Sequence, residues 1–143
     1  MVEQSRAIFR LMEQNIAALD CADRAKAVCG DALSETVILR APDPVDVVFI
    51  DPPYPMMLEE RTRRRVLGQM SRCRRIMAKP GLLILRSPRG PADLGLAVEG
   101  LIGPEARRYA RDMWVLVYEP APPAPPDRQG ERDETEPQMA RDA

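Results

Sequence analysis

The sequence predicts an α/β fold: a parallel sheet with helices against it, closed by an antiparallel pair of strands. Three observations carry this. Apolar stripes at helical spacing alternate with short apolar runs of strand length. One of those runs, Asp46 to Ile50, reads Val-Val-Phe-Ile without interruption, as in strands buried on both faces of a parallel sheet. The pattern then stops at Pro120, where a proline-rich, acidic segment begins.

In chain order, residues 4–19 place Ile8, Leu11, Met12, Ile16 and Leu19 on one helical face. Lys26 to Cys29 is a short strand running into Gly30-Asp31-Ala32. The strand ending at Ile50 stops at Asp51-Pro52-Pro53-Tyr54-Pro55, because proline cannot donate to a ladder. Residues 57–78 form a helix burying Val66, Leu67, Met70, Cys73, Ile76 and Met77, with Lys79-Pro80-Gly81 as its stop. Leu82 to Arg86 is the next strand, and residues 92–101 allow a short helix. Residues 106–111 and 114–119 are the closing strands, with Trp114, Leu116 and Tyr118 sharing a face. From Pro120 to residue 143 too little apolar surface remains to offset ordering entropy, so this segment is expected to be disordered.

The chain of 143 residues has 21 basic and 22 acidic side chains, so no strong overall field points to nucleic acid or membrane. The tail holds six acids and three bases, which leaves the body slightly basic. No apolar run reaches the ~20 residues of a membrane span. Three cysteines, Cys21, Cys29 and Cys73, are an odd number without close pairing, which suggests reduced thiols in a cytoplasmic protein. Cys29 is expected to be a small buried hydrophobe. Histidine is absent, which excludes Ser-His and Cys-His nucleophiles and His-based metal sites; no metal is expected.

Asp51-Pro52-Pro53-Tyr54 is the strongest chemical signal, because its parts suit alkylation of an exocyclic amine. Such a nitrogen is a poor nucleophile while its lone pair is delocalised into the ring. A carboxylate accepting one N–H and a backbone carbonyl accepting the other draw it toward tetrahedral geometry. Pro53 restricts Pro52 to extended geometry and so aims the Pro52 carbonyl. Tyr54 offers a flat face for a flipped base, worth roughly 1–3 kcal/mol. The alternative is a loop breaker after a strand. Ligands of such sheets bind beyond the carboxyl ends of the strands, where Glu3, Asp31 and Asp51 lie.

From Val2 to about Glu119 the chain resembles the bacterial small-subunit rRNA guanine-N2 methyltransferases, a branch of the class I S-adenosylmethionine-dependent fold. The resemblance rests on Val2-Glu3-Gln4-Ser5-Arg6-Ala7, Gln14-Asn15-Ile16, Gly30-Asp31-Ala32-Leu33, Val47 to Tyr54, Lys79-Pro80-Gly81-Leu82-Leu83 and the Tyr109 to Glu119 strand pair. It implies a Rossmann-like methyltransferase domain over residues 1–119, cofactor-binding roles for Glu3, Asp31 and Ala32, and catalytic roles for Asp51, Pro52, Pro53 and Tyr54. Glu3 would hold the ribose hydroxyls, and Asp31 would lie near the adenine amino group. The implied partner is rRNA or the small ribosomal subunit, the implied cofactor is S-adenosylmethionine, and a monomer is expected.

Each assignment has a structural alternative. Glu3 is also placed as a first-turn helix acid and Asp31 as a helix N-cap. Members of the family carry a strand and a glycine-rich turn before the ribose-binding acid, whereas Met1 and Val2 alone precede Glu3 here. The expectation is therefore a sheet without its first strand and a cofactor pocket without its methionine end. A catalytically incompetent fragment with weak RNA binding is the competing function. Methylation of a protein glutamine amide is disfavoured by Asp at position 51, where such enzymes carry Asn. The arginines at 61, 63, 64, 65, 72, 74 and 75 read either as a solvated face, with Glu59–Arg63 and Glu60–Arg64 pairs, or as RNA phosphate contacts. Met56 and Met57 either edge the base pocket or pack.

Two outcomes are expected. Deleting residues 122–143 leaves the melting temperature unchanged; a clear drop would show that this segment packs on the body. In calorimetric titration the 143-residue chain binds S-adenosylmethionine very weakly, because the glycine-turn amides that would meet the methionine carboxylate are not found. A micromolar affinity would overturn the second expectation.

Overall fold

The computed structural model describes residues 1–122. The segment read as a disordered tail lies, from residue 123 on, outside the described residues.

Two separate sheets form the frame. In the smaller, β1 (Val2–Glu3) and β2 (Val28–Cys29) pair in parallel through α1 (Arg6–Ala18). Ser5 caps α1 with extended backbone, its hydroxyl accepting the Ile8 N–H at 3.5 Å. The apolar stripe expected on this helix exists but does not reach a core. No residue of α1 is buried, and Leu19 is 72% exposed. A two-stranded sheet is too narrow to cover the face, and α1 packs chiefly on β1 and β2. The strand expected over Lys26 to Cys29 is reduced to its last two residues, and Cys29 is exposed, which corrects its reading as a buried hydrophobe.

The larger sheet has the order β3–β4–β6–β5, with β3 Val45–Ile50, β4 Met77–Ser87, β5 Leu101–Ala110 and β6 Met113–Pro120. β3 and β4 are parallel; β4–β6 and β6–β5 are antiparallel. One face of this sheet is buried. Leu83 and Leu85 of β4, with Leu116 and Tyr118 of β6, are wholly inaccessible and cluster with Val66, Met70 and Cys73. The expected face of Trp114, Leu116 and Tyr118 is thus the core face. The Tyr118 hydroxyl satisfies itself by donating to the Leu96 carbonyl at 2.8 Å, and burial pushes its pKa well up. Burial likewise pushes the Cys73 thiol up.

The opposite face is bare at β3. Val47 is 41% and Phe49 74% exposed, so the strand expected to be buried on both faces is covered on one. Among the described residues β3 pairs with β4 alone, and its buried neighbours lie on the Val48 and Ile50 side.

The helix expected over residues 57–78 is in fact several pieces. α2 (Glu35–Ile38), which starts three residues later than the helix from Ala32 implied by the capping alternative for Asp31, precedes β3; α3 (Tyr54–Leu58) and α4 (Glu60–Cys73) follow it. The break falls at Glu59, whose φ of −80° and ψ of 126° are extended. A 3₁₀ turn, Arg74–Ile76, ends α4, and Met77 already belongs to β4. Lys79-Pro80-Gly81 therefore lies inside a strand and not after a helix. The register jumps from Val45↔Met77 to Val47↔Leu82, so these residues bulge out of the ladder, where proline is tolerated. The bulge needs glycine at 81, since a Cβ there would stand 2.6 Å from the Ala78 carbonyl oxygen. The last helix among the described residues, α5, is a single turn, Pro91–Leu94, shorter than the 92–101 expected. β6 includes Pro120, and the Ala121 N–H donates to the Gly100 carbonyl at 3.0 Å, so order extends just past the expected boundary.

Leu85→Ala should cost about 2–5 kcal/mol of stability, the usual range for emptying a fully buried leucine site. Chemical denaturation measures this; a loss below ~1 kcal/mol would show that the sheet face is not the main core.

Candidate active site

The turn Asp51-Pro52-Pro53-Tyr54 begins where β3 ends, and its stiffness is local. Pro52 is buried, and the Pro53 carbonyl accepts the Met56 N–H at 2.9 Å as α3 starts. Among the described residues, no hydrogen bond reaches the Pro52 carbonyl. Tyr54 opens α3 with its ring half-buried. Met57 is wholly buried in the core, and Met56 packs against it, so both are accounted for by packing.

The parallel pairing Ile50↔Leu85 sets Asp51 beside Arg86 at the carboxyl ends of two neighbouring strands. Arg86 Nε donates to Asp51 Oδ1 at 2.7 Å, with both side chains about half exposed. The same guanidinium lies over Tyr54, its carbon 5.6 Å from the ring centroid. An exposed ion pair is worth about 0–1 kcal/mol and an exposed cation–π contact roughly 0.5–1 kcal/mol, so Arg86 is held but loosely. Sequence reasoning missed Arg86. The available signal was an arginine closing the apolar run Leu82 to Leu85, the position at which α/β sheets present ligand-facing groups.

Glu3 and Asp31 come together at the carboxyl ends of β1 and β2, where the Glu3 carbonyl accepts the Gly30 N–H at 3.0 Å. Glu3 Oε1 accepts the Ser5 N–H at 2.6 Å, just ahead of α1. Asp31 does not cap a helix starting at Ala32. Its Oδ1 accepts the Leu33 N–H at 2.8 Å within a turn, and Ser34 precedes α2. Asp31 Oδ2 meets Arg65 of α4 at 3.5 Å. Ala32 is exposed beside it.

A carboxylate has about four acceptor positions, so Glu3 and Asp31 each keep capacity to accept from a hydroxyl or amino group of a ligand. A Cβ at Gly30 would meet nothing within 4 Å, so there is open space beside these acids. An open hollow of about 440 Å³ lined by Lys26, Ala27, Val28, Cys29 and Arg40 lies against β2 but includes none of the four acidic and aromatic candidates.

The arginines of α4 are largely spent on structure. Arg64 pairs with Glu60. Arg63 leaves Glu59 and donates to the Met57 and Leu58 carbonyls at 3.0 and 3.3 Å, securing the end of α3. Glu59 accepts instead from the Thr62 hydroxyl at 2.9 Å. Arg75 pairs with Glu35 at 2.8 Å, which holds the Glu35 carboxyl below its ordinary range. Arg74 runs under Gly100 and donates to the Ala121 carbonyl at 3.1 Å. Arg61 makes none of these contacts.

Among the described residues no cluster of three His, Cys, Asp or Glu could hold a metal ion, and no helix is long and apolar enough to cross a membrane.

Residues 1–89 match the family model described as conserved hypothetical protein 95. No curated protein matches the chain significantly. Solved structures do. The proposed methyltransferase YhhF from Escherichia coli aligns with a TM-score of 0.58 and 21% identity, over 84% of this chain and 60% of that one. An rRNA methylase from Streptococcus thermophilus aligns with a TM-score of 0.62 and 8% identity, over 85% of this chain and 72% of that one. NSun6 from Pyrococcus horikoshii, solved with the S-adenosylmethionine analogue SFG, gives 0.63 and 14%, over 85% and 41%. The chain thus spans only 60% of the length of the Escherichia coli protein. The fold expected from the sequence, a Rossmann-like methyltransferase sheet of parallel strands with a C-terminal antiparallel pair, is the fold found.

Proposed function

This chain belongs to the conserved hypothetical protein 95 family, and from that footing we propose that it transfers a methyl group from S-adenosylmethionine to an exocyclic amine of a nucleobase in RNA, with guanine N2 of small-subunit rRNA as the target. The observation that carries this reading is the Asp51-Pro52-Pro53-Tyr54 turn at the carboxyl end of β3, with a carboxylate, an unengaged carbonyl and an aromatic face in four consecutive residues. The rRNA methylase among the similar structures and the analogue-bound NSun6 support the substrate and cofactor class. The competing reading, an incompetent fragment with weak RNA binding, draws no support from these similarities.

Asp51 accepts one N–H of the target amine and the Pro52 carbonyl the other, which holds the nitrogen with its lone pair turned out of conjugation. Pro53 fixes the direction of that carbonyl. Tyr54 stacks the base and limits its tilt. Glu3 holds the ribose hydroxyls and Asp31, beside Ala32, the adenine amino group. When bound, S-adenosylmethionine supplies the electrophilic methyl group. No general base is needed to create the nucleophile, since orientation alone frees the lone pair, and the proton on the alkylated, now cationic nitrogen passes to solvent water.

The test is tritiated-methyl incorporation into unmodified small-subunit particles at saturating S-adenosylmethionine. Asp51→Ala should lower turnover by about a hundredfold or more while cofactor affinity stays nearly intact, because the carboxylate engages the amine and not the ribose. Tyr54→Ala should weaken RNA binding as well as rate, by an amount equivalent to roughly 1–3 kcal/mol, and Tyr54→Phe should be mild. Near-parental methylation by Asp51→Ala would reduce the turn to a strand terminator.

A further inference from the structure

Arg86 occupies both groups that the methyl-transfer reading assigns to the base. Its Nε takes Asp51 Oδ1 at 2.7 Å, and its guanidinium covers the Tyr54 ring. A base cannot stack on Tyr54 while the guanidinium lies there, and an amine competes with Arg86 for the Asp51 carboxylate. Arg86 must therefore leave before a base is seated. Its side chain is 46% exposed, so about half of its surface already faces solvent. Among the described ion pairs Asp51 is its one acidic partner, so leaving strands a positive charge unless the ligand provides an anion.

We propose that Arg86 is a substrate-selecting residue: in the free protein it fills the place of the base, and on binding it transfers to a phosphate of the target nucleotide. Base entry is then coupled to the presence of a phosphate, so the site favours nucleotides and phosphodiester chains over free nucleosides. A guanidinium suits the exchange because its planar fork matches carboxylate and phosphate alike, whereas a lysine ammonium offers only a point charge. The proposal rests on the methyl-transfer reading for the identity of the base site, but not for its test.

The experiment compares binding of guanosine and guanosine 5′-monophosphate to the parent chain, Arg86→Ala and Arg86→Lys. In parallel, the Arg86 Nε–H resonance is followed in ¹⁵N-labelled parent protein. The parent should prefer the monophosphate by about tenfold, the scale of one charge-assisted hydrogen bond. Arg86→Ala should lose that preference and bind guanosine more tightly than the parent does, while Arg86→Lys keeps part of the preference. The Nε–H resonance should move with the monophosphate at concentrations about tenfold lower than guanosine requires. An Arg86→Ala variant with undiminished preference, or an unmoved resonance at saturating monophosphate, would overturn the proposal. Methyl incorporation into RNA is measured on the same proteins. Its absence beside the expected selectivity would count against the methyl-transfer reading alone; its presence with selectivity unchanged in Arg86→Ala would count against Arg86 alone.

Discussion

Burial of Leu83 and Leu85 on one face of β4 fixes its parallel register against β3, and with it the meeting of Asp51 and Arg86. The side-chain period of a strand is two, so a slip of one residue would turn both leucines outward and carry Arg86 toward the core. Neither outcome is tolerable: two leucines would lose their burial and a guanidinium would lose its water. The apolar packing that stabilises the sheet thus also specifies the polar geometry at its end. The bulge at Lys79-Pro80-Gly81 absorbs the mismatch between the two strands upstream, leaving the register clean from Val47 to Ile50.

The arginine-rich helix shows how residue type misleads when partners are not known. Seven arginines beside a candidate RNA site invite a phosphate-binding reading. In the fold, Arg63 secures the end of α3, Arg74 anchors the chain at Ala121, and Arg65 and Arg75 tie α4 and its terminal turn to the segment holding Asp31 and Glu35. These contacts are mostly half exposed and individually weak. Their value lies in number and placement, because they bridge the small sheet's segment to the large sheet's helix.

What was legible in the sequence was what is local. The Asp51 to Tyr54 turn needed only contiguous residues and a preceding apolar run, and the fold class needed only alternating periods. The face shared by Trp114, Leu116 and Tyr118 was likewise a matter of period two. The place of Arg86 at a strand end was legible, but its pairing with Asp51 was not, because Asp51 comes from a strand far away in sequence and only the sheet order joins them. Lys79-Pro80-Gly81 reads as a helix stop on local chemistry, and only pairing with β3 reveals a bulge. The apolar run of β3 was read correctly as a strand and wrongly as buried on both faces, since burial depends on what lies opposite. Cys29 failed for the same reason.

The bare side of β3 has a bearing on how the protein behaves in crowded solution. Among the described residues its outer edge has no partner, and Val47 and Phe49 stand exposed beside it. Unpaired amides and carbonyls flanked by apolar side chains will zip onto any extended chain that offers a matching edge. The net charge of −1 provides little repulsion to keep copies apart. Asp46, exposed on the same strand, is the local charge opposing such pairing. Self-association of this protein would therefore run through the outer edge of β3 and leave the buried face of the sheet intact.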